Sequence, residues 1–249
     1  MRRLWQAAFA TFGLVAVIFF AILVSVYIWP FMLVPRGTRE RYAIYGAKAF
    51  GWMCTYALLW GRVTLVGIEN LPKKRGFLVI SNHRSWADVG MLQYHTTSQG
   101  ISKREVAWIP FFGLSGYLSG VIFFDRRSKI ARARVVTDAI WIMKHGVSLH
   151  VFPEGTRTRT GRLNQKVFLR LVQEAYKAGI EVVPACVWGT ENAVGVGGYR
   201  AQPFQKMGLQ IDPPFPREGH ADDEAFAKAA WGRVREMAAA NGADQDFAS

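Results

Sequence analysis

The segment Asn82-His83-Arg84-Ser85-Trp86-Ala87-Asp88 carries an imidazole and a carboxylate five residues apart, and Phe152-Pro153-Glu154-Gly155-Thr156-Arg157 adds a second carboxylate and a guanidinium. Histidine titrates near pH 6.5, so its neutral ring is a competent proton acceptor at physiological pH. A carboxylate bonded to the other ring nitrogen fixes the tautomer and orientation of such a base. Arginine offers a planar fork of donors that matches phosphate oxygens. Together these groups could deprotonate a hydroxyl while holding a nearby anion. The first segment also reads as an aspartate capping a helix beside a surface histidine, and the spacing alone does not choose between the two.

Positioning these groups makes demands on the surrounding elements. On one continuous helix, residues five apart would point about 140° from each other. His83 and Asp88 therefore meet only if a strand end, a tight turn and a helix start bring them together. The apolar run 77–81 supplies the strand, and a helix over 87–94 supplies the start. Glu154 and Arg157 follow a second apolar run, 149–152, and Gly155 permits a turn that an ordinary residue would resist. Further strands are predicted at 63–66, 121–124, 182–187 and 209–211, and further helices at 109–118, 129–144, 165–177 and 223–240. Strands alternating with helices from residue 62 onward predict an α/β domain over 62–249. The glycine-rich stretch 189–205 reads as a surface loop, and no internal repeat is visible.

The chain of 249 residues has a formal net charge of +13, which implies an anionic partner such as a bilayer surface, an acidic protein or nucleic acid. The N-terminus chooses among these. No charged residue occurs between Arg3 and Arg36, and the run is too long for the core of a secretory signal. It suffices for a membrane helix, with Trp5, Tyr27 and Trp29 toward its ends and arginines on both flanks. The apolar, aromatic stretch 42–60 reads as a second helix packed on the first or lying in the interface. Residues 1–61 are thus expected to form a hydrophobic helical membrane anchor, and a nucleic-acid partner is not expected. Cys54 and Cys186 are distant in sequence and suggest packing rather than a disulfide. No H-x-x-x-H or C-x-x-C spacing suggests a metal, and no G-x-S-x-G elbow suggests a serine nucleophile.

His83 and Asp88 match the H-x4-D motif, and residues 152–157 the F-P-E-G-T-R motif, of the PlsC-type glycerolipid acyltransferases, which act on 1-acylglycerol-3-phosphate. Ser102-Lys103-Arg104-Glu105 leading to Pro110-Phe111-Phe112-Gly113, Gly120 to Arg126, and Val182-Val183-Pro184-Ala185 resemble further blocks of that family, in the same order. The resemblance implies a central mixed sheet flanked by helices, with His83 as general base and Asp88 as its orienting carboxylate. It implies an acceptor site at Lys103, Arg126, Glu154, Gly155, Thr156 and Arg157. Glu154 has two open roles: accepting a hydrogen bond from the acceptor, or pinning its own turn through backbone amides. The implied partners are a lysophospholipid, acyl-CoA or acyl-carrier protein as donor, and a lipid bilayer, with no cofactor. The implied location is a membrane, bacterial and inner, with the catalytic domain on its cytoplasmic face. Arg127, Arg159 and Arg162 read as solvated charges. One departure concerns the acceptor: Lys166-Val167-Phe168-Leu169-Arg170 stands where the family commonly has Phe-Lys-x-Gly. A different lysophospholipid or a lyso-aminolipid therefore remains an alternative acceptor.

Overall fold

A computed structural model describes residues 2–125, 127–195 and 201–247, with side chains for all of these except residues 2–12, 14 and 58. The chain begins with helix α1 (Arg2–Ile28), which tightens into a 3-10 segment (Trp29–Leu33) at Pro30, whose ring nitrogen has no hydrogen to donate. Helix α2 (Thr38–Trp52) starts where the buried Glu40 carboxylate accepts the Gly37 amide at 2.6 Å, and it ends in a wider π-type turn (Met53–Leu58). After it come β1 (Arg62–Val66), β2 (Leu78–Ser81), α3 (Ala87–Thr96), β3 (Ser98–Lys103), α4 (Phe112–Ser119), β4 (Ile122–Phe124) and α5 (Lys129–Lys144). The remaining elements are β5 (Ser148–Val151), α6 (Arg170–Lys177), β6 (Val182–Trp188), α7 (Thr190–Ala193), β7 (Lys206–Ile211) and α8 (Asp223–Ala240).

The strands form one seven-stranded sheet in the order β1-β7-β6-β2-β5-β3-β4, parallel throughout except between β6 and β7. The expected mixed α/β sheet is therefore present. Side chains alternate between two buried faces, as the twofold repeat of a strand requires. Leu78, Ile80, Leu149 and Val182 pack with residues of α5, α6 and α8. Val79, Val183, Ala185 and Val187 pack with Met91 and Leu92 of α3. Burial on both faces explains why β2 and β6 read as unbroken apolar runs, and each such side chain contributes about 1.5–3 kcal/mol.

Both N-terminal helices are seated on this layer. Val24 and Ile28 of α1 pack with Ala43 of α2 and Leu118 of α4, and Ser25 Oγ lies 2.8 Å from Ser115 Oγ. Gly51 lets α2 approach α3 closely, since a Cβ there would sit 2.6 Å from the Gly90 carbonyl oxygen. The outward face of α1 is apolar and exposed, with Val15 59%, Phe19 61% and Val26 66% accessible. The stretch Val15–Leu33, 19 residues of mean hydropathy 2.4, is long and apolar enough to cross a bilayer. Cys54 and Cys186 are free, and burial pushes the Cys186 thiol up to about 12, so it stays protonated.

The elements differ from expectation in four places. β3, Ser-Gln-Gly-Ile-Ser-Lys, is a strand that composition does not announce, because pairing with β5 and β4 decides its conformation. The helix expected over 109–118 begins only at Phe112, since Ile109 precedes a proline and is extended (ψ 121°), and Phe111 holds a positive φ of 65°. The helix expected from 165 begins at Arg170, because the preceding residues bond to the loop after β5. Residues 189–205 contain α7 and a bridge between Val194 and Ala201, and residues 196–200 lie outside the described residues.

Candidate active site

The parallel strands β2, β5, β3 and β4 all end at one edge of the sheet, and the candidate residues follow those ends. β2 pairs with β5 so that Ile80 stands beside Val151, which brings His83 and Glu154, each three residues further on, next to each other. The chain leaves β2 toward α3 on one face and leaves β5 toward α6 on the other. Neighbouring strands whose connections part in this way open a crevice at their carboxyl ends, the usual ligand position in open α/β sheets.

His83 lies in the turn after β2, and Asp88 is the second residue of α3. Asp88 Oδ2 is 2.8 Å from His83 Nδ1 and also accepts the backbone amides of Arg84 at 2.6 Å and Ser85 at 2.7 Å. Of the two readings that the spacing left open, helix capping is not seen, since α3 has no side-chain cap; one Asp88 oxygen ties the preceding turn and faces the imidazole. A carboxylate acceptor requires the hydrogen on Nδ1, which leaves the Nε2 lone pair free to act as a base. The ring is held flat against Phe152, with centroids 3.9 Å apart and planes 11° apart. Asp88 is fully buried, whereas the His83 side chain retains 15% exposure.

The loop after β5 is clamped to the same turn. Glu154 Oε1 accepts the His83 amide at 2.8 Å, and Oε2 accepts both the backbone and side-chain nitrogens of Asn164 at 2.8 Å. The Thr158 amide in turn donates to the His83 carbonyl at 2.9 Å. His83 is thus held through its backbone on both sides. Both Glu154 oxygens are engaged inside the protein, which is the pinning role of the two weighed from sequence. Burial pushes the Glu154 carboxyl above its usual range, against the bonds from Asn164 and His83. Glu154→Gln would set an amide N–H against backbone donors. It is expected to cost about 2 kcal/mol or more and to lower kcat, read from thermal unfolding and initial rates. Wild-type stability with only a raised acceptor KM would instead indicate direct binding.

Gly155 takes a left-handed φ of 67°, and a Cβ there would lie 3.4 Å from the Phe168 ring. Thr156 is exposed, and its carbonyl accepts Asn164 Nδ2 at 3.3 Å. The Arg157 guanidinium lies 5.0 Å over the Trp86 ring, between His83 and Asp88 in sequence, and its Nη1 is buried without a hydrogen-bond partner among the described residues. Stacking fixes the plane of the fork, and a buried N–H without an acceptor is a strong potential donor. Lys103 is exposed at the end of β3, on the same sheet edge but two strands from β2. Arg126 lies outside the described residues. Among the described residues, no group of three or more His, Cys, Asp or Glu side chains could hold a metal ion.

Three supporting residues were assigned no role from sequence. Asn82 pairs with the Val187 backbone in both directions, at 2.9 and 2.8 Å, locking the end of β2 to β6. Arg84 is buried, makes two bonds of 2.9 Å to Glu191, and donates to the carbonyls of Gly161 and Ala243. Only the apolar run ahead of Asn82 hinted at a strand end; the partners of Arg84 are up to 159 residues away. His150 is buried beneath Phe152, with Nδ1 2.8 Å from Ser98 Oγ.

Burial, assisted by the nearby His83, pushes His150 down to about 3 from 6.5. Because the folded value is depressed, unfolding takes up a proton below pH 6.5. The His150 contribution to stability is therefore present above pH 6.5 and is lost as pH falls toward 3, at about 1.4 kcal/mol per pH unit. His150→Asn is expected to flatten the pH dependence of unfolding between pH 6.5 and 5. An unchanged slope would show that this histidine already takes up its proton in the folded state.

Comparison with known proteins agrees with the fold and with the family resemblance. The acyltransferase family model matches residues 62–188, and the chain belongs to this family. A 1-acyl-sn-glycerol-3-phosphate acyltransferase of Borreliella burgdorferi is 32% identical over 134 residues, 53% of each chain. The protein of that name from Limnanthes douglasii is 30% identical over 200 residues, 78% of this chain and 67% of its own. The chain spans about half the length of some curated relatives, 53% for the Borreliella protein and 47% for a chloroplastic one from Arabidopsis thaliana. The crystal structure of PlsC from Thermotoga maritima, a 1-acyl-sn-glycerophosphate acyltransferase, superposes with a TM-score of 0.81 at 25% identity, covering 100% of both chains.

Proposed function

We propose that this protein transfers a fatty acyl group from a thioester, acyl-CoA or acyl-carrier protein, to the free hydroxyl of 1-acylglycerol-3-phosphate, giving phosphatidic acid. The observation that carries the reading is the His83–Asp88 pair, joined at 2.8 Å, beside the stacked and partly unbonded guanidinium of Arg157. His83 Nε2 takes the hydroxyl proton as the oxygen attacks the thioester carbonyl. The new C–O bond forms, the C–S bond breaks, and the imidazolium returns the proton to the departing thiolate. Asp88 holds the tautomer and stabilises the transient imidazolium. Arg157 grips the acceptor phosphate, with Lys103 and Arg126 as further cations of the same site. In this reading α1 holds the domain at a membrane, with the catalytic edge on the cytoplasmic side where both donors are soluble.

The relatives named for this reaction support the substrate assignment. The segment 164–169 favours keeping one alternative. It folds back on the loop after β5 and sets Phe168, rather than a glycine-containing turn, against Gly155. A head group other than a bare phosphate would meet that ring. Purified protein assayed with a panel of lysolipids and both thioester donors decides both points. Phosphate-dependent acyl transfer is expected, with 1-acylglycerol-3-phosphate outcompeting the other acceptors. Absence of transfer to every phosphate-bearing lysolipid would end the proposal, and preference for another lysolipid would reassign the acceptor.

A further inference from the structure

An open cavity of about 800 Å³ lies at the opposite edge of the sheet from His83. Its walls are the turn into α2, the segments that enter β2 and β6, and the end of α5. Gly76, two residues before β2, lines it, whereas His83 follows β2 by two. Seven residues of near-extended chain separate the two sites by about 20 Å. The cavity is thus distinct from the crevice at His83.

The lining is strongly cationic. Arg36, Arg41, Lys74, Arg75 and Lys144 contribute to it, against the single carboxylate of Glu181. Arg36 lies 4.3 Å over Trp141 and 3.6 Å from Asp138, while Arg75 donates to the Tyr45 hydroxyl at 2.6 Å. Arg41, Lys74 and Lys144 have no ion-pair partner among the described residues. Charges gathered without a counter-charge repel one another, and an anion seated among them relieves that repulsion.

The surroundings say which anion. The candidate membrane-crossing stretch ends at Leu33, which is 93% exposed, three residues before Arg36. Tyr42 and Tyr45, both exposed, form one wall of the cavity. An apolar helix followed by aromatic and basic side chains is the pattern of a bilayer interface. We propose that this cavity is a second, non-catalytic site for the phosphate of an anionic phospholipid head group. Arg41, Lys74 and Lys144 supply the donors, and the bound lipid fastens the amino-terminal edge of the sheet to the membrane. The site stands independently of the acyl-transfer reading, because none of its residues adjoins His83.

The test uses the full chain in neutral detergent with an equimolar mixture of phosphatidylglycerol and phosphatidylcholine. Retained lipid is counted by native mass spectrometry. The wild-type protein is expected to retain phosphatidylglycerol preferentially, and Arg41→Gln, Lys74→Gln and Lys144→Gln to weaken retention about fivefold each. The triple variant should keep its melting temperature and its rate with acyl-CoA in detergent. An undiminished preference in the triple variant overturns the proposal. Binding of inorganic pyrophosphate that is lost in the same variant, together with no preference of the wild type for phosphatidylglycerol over phosphatidylcholine, overturns the lipid assignment in favour of a soluble phosphate ligand. Loss of acyl transfer through His83→Ala leaves lipid retention unchanged, so the two readings fail separately.

Discussion

His83→Ala is expected to lower kcat by about 10²–10⁴ while leaving the melting temperature within a few degrees of wild type. The fold tolerates the loss because Asp88 Oδ2 keeps the amides of Arg84 and Ser85, and the backbone clamps at His83 do not involve its ring. Asp88→Asn tests the same geometry differently. The Arg84 and Ser85 amides hold an oxygen at the Oδ2 place, so asparagine keeps the turn and the ring tautomer. It loses the negative charge that stabilises the imidazolium, and kcat is expected to fall. Initial rates of thiol release, with circular dichroism to verify folding, measure both variants. If folded His83→Ala retained most of its activity, the proton acceptor would have to lie elsewhere.

Arg157→Ala is the second large effect. A charge-assisted bond contributes about 1.5–3 kcal/mol, so kcat/KM for a phosphate-bearing acceptor should fall about 10- to 150-fold. Arg157→Lys should recover little of this, since an ammonium restores the charge but neither the planar fork nor the stack on Trp86. The decisive control is an acceptor without phosphate, such as a monoacylglycerol, on which wild type and variant should become nearly equal. An equal loss on both acceptors would mean that Arg157 supports the turn and not the ligand.

The legible parts of this site are those whose geometry is local. His83 and Asp88 share one turn, so their residue types, the apolar run ahead and the helix behind allowed them to meet, and the motif resemblance selected that reading over a helix cap. The order of the motifs and the alternation of strands and helices implied the α/β fold. Long apolar strands such as β6 were visible because burial on both faces leaves an unbroken run of apolar residues. β3 was invisible for the converse reason: its serines, glutamine and glycine carry no strand preference, and its neighbours alone hold it extended.

Sequence by itself therefore determined the chemistry on offer, the class of fold, and the apolar N-terminal helix, because residue type, hydrophobic period and short spacing are properties of neighbouring residues. Tertiary structure alone decided that Glu154 pins His83 across 71 residues and that Arg84 is buried against Glu191 rather than facing a ligand. It also gathered the cations of the second cavity from segments that enter different strands. Those assignments depend on strand order and register, which follow from how the whole chain packs its apolar faces, and no local pattern encodes that arrangement.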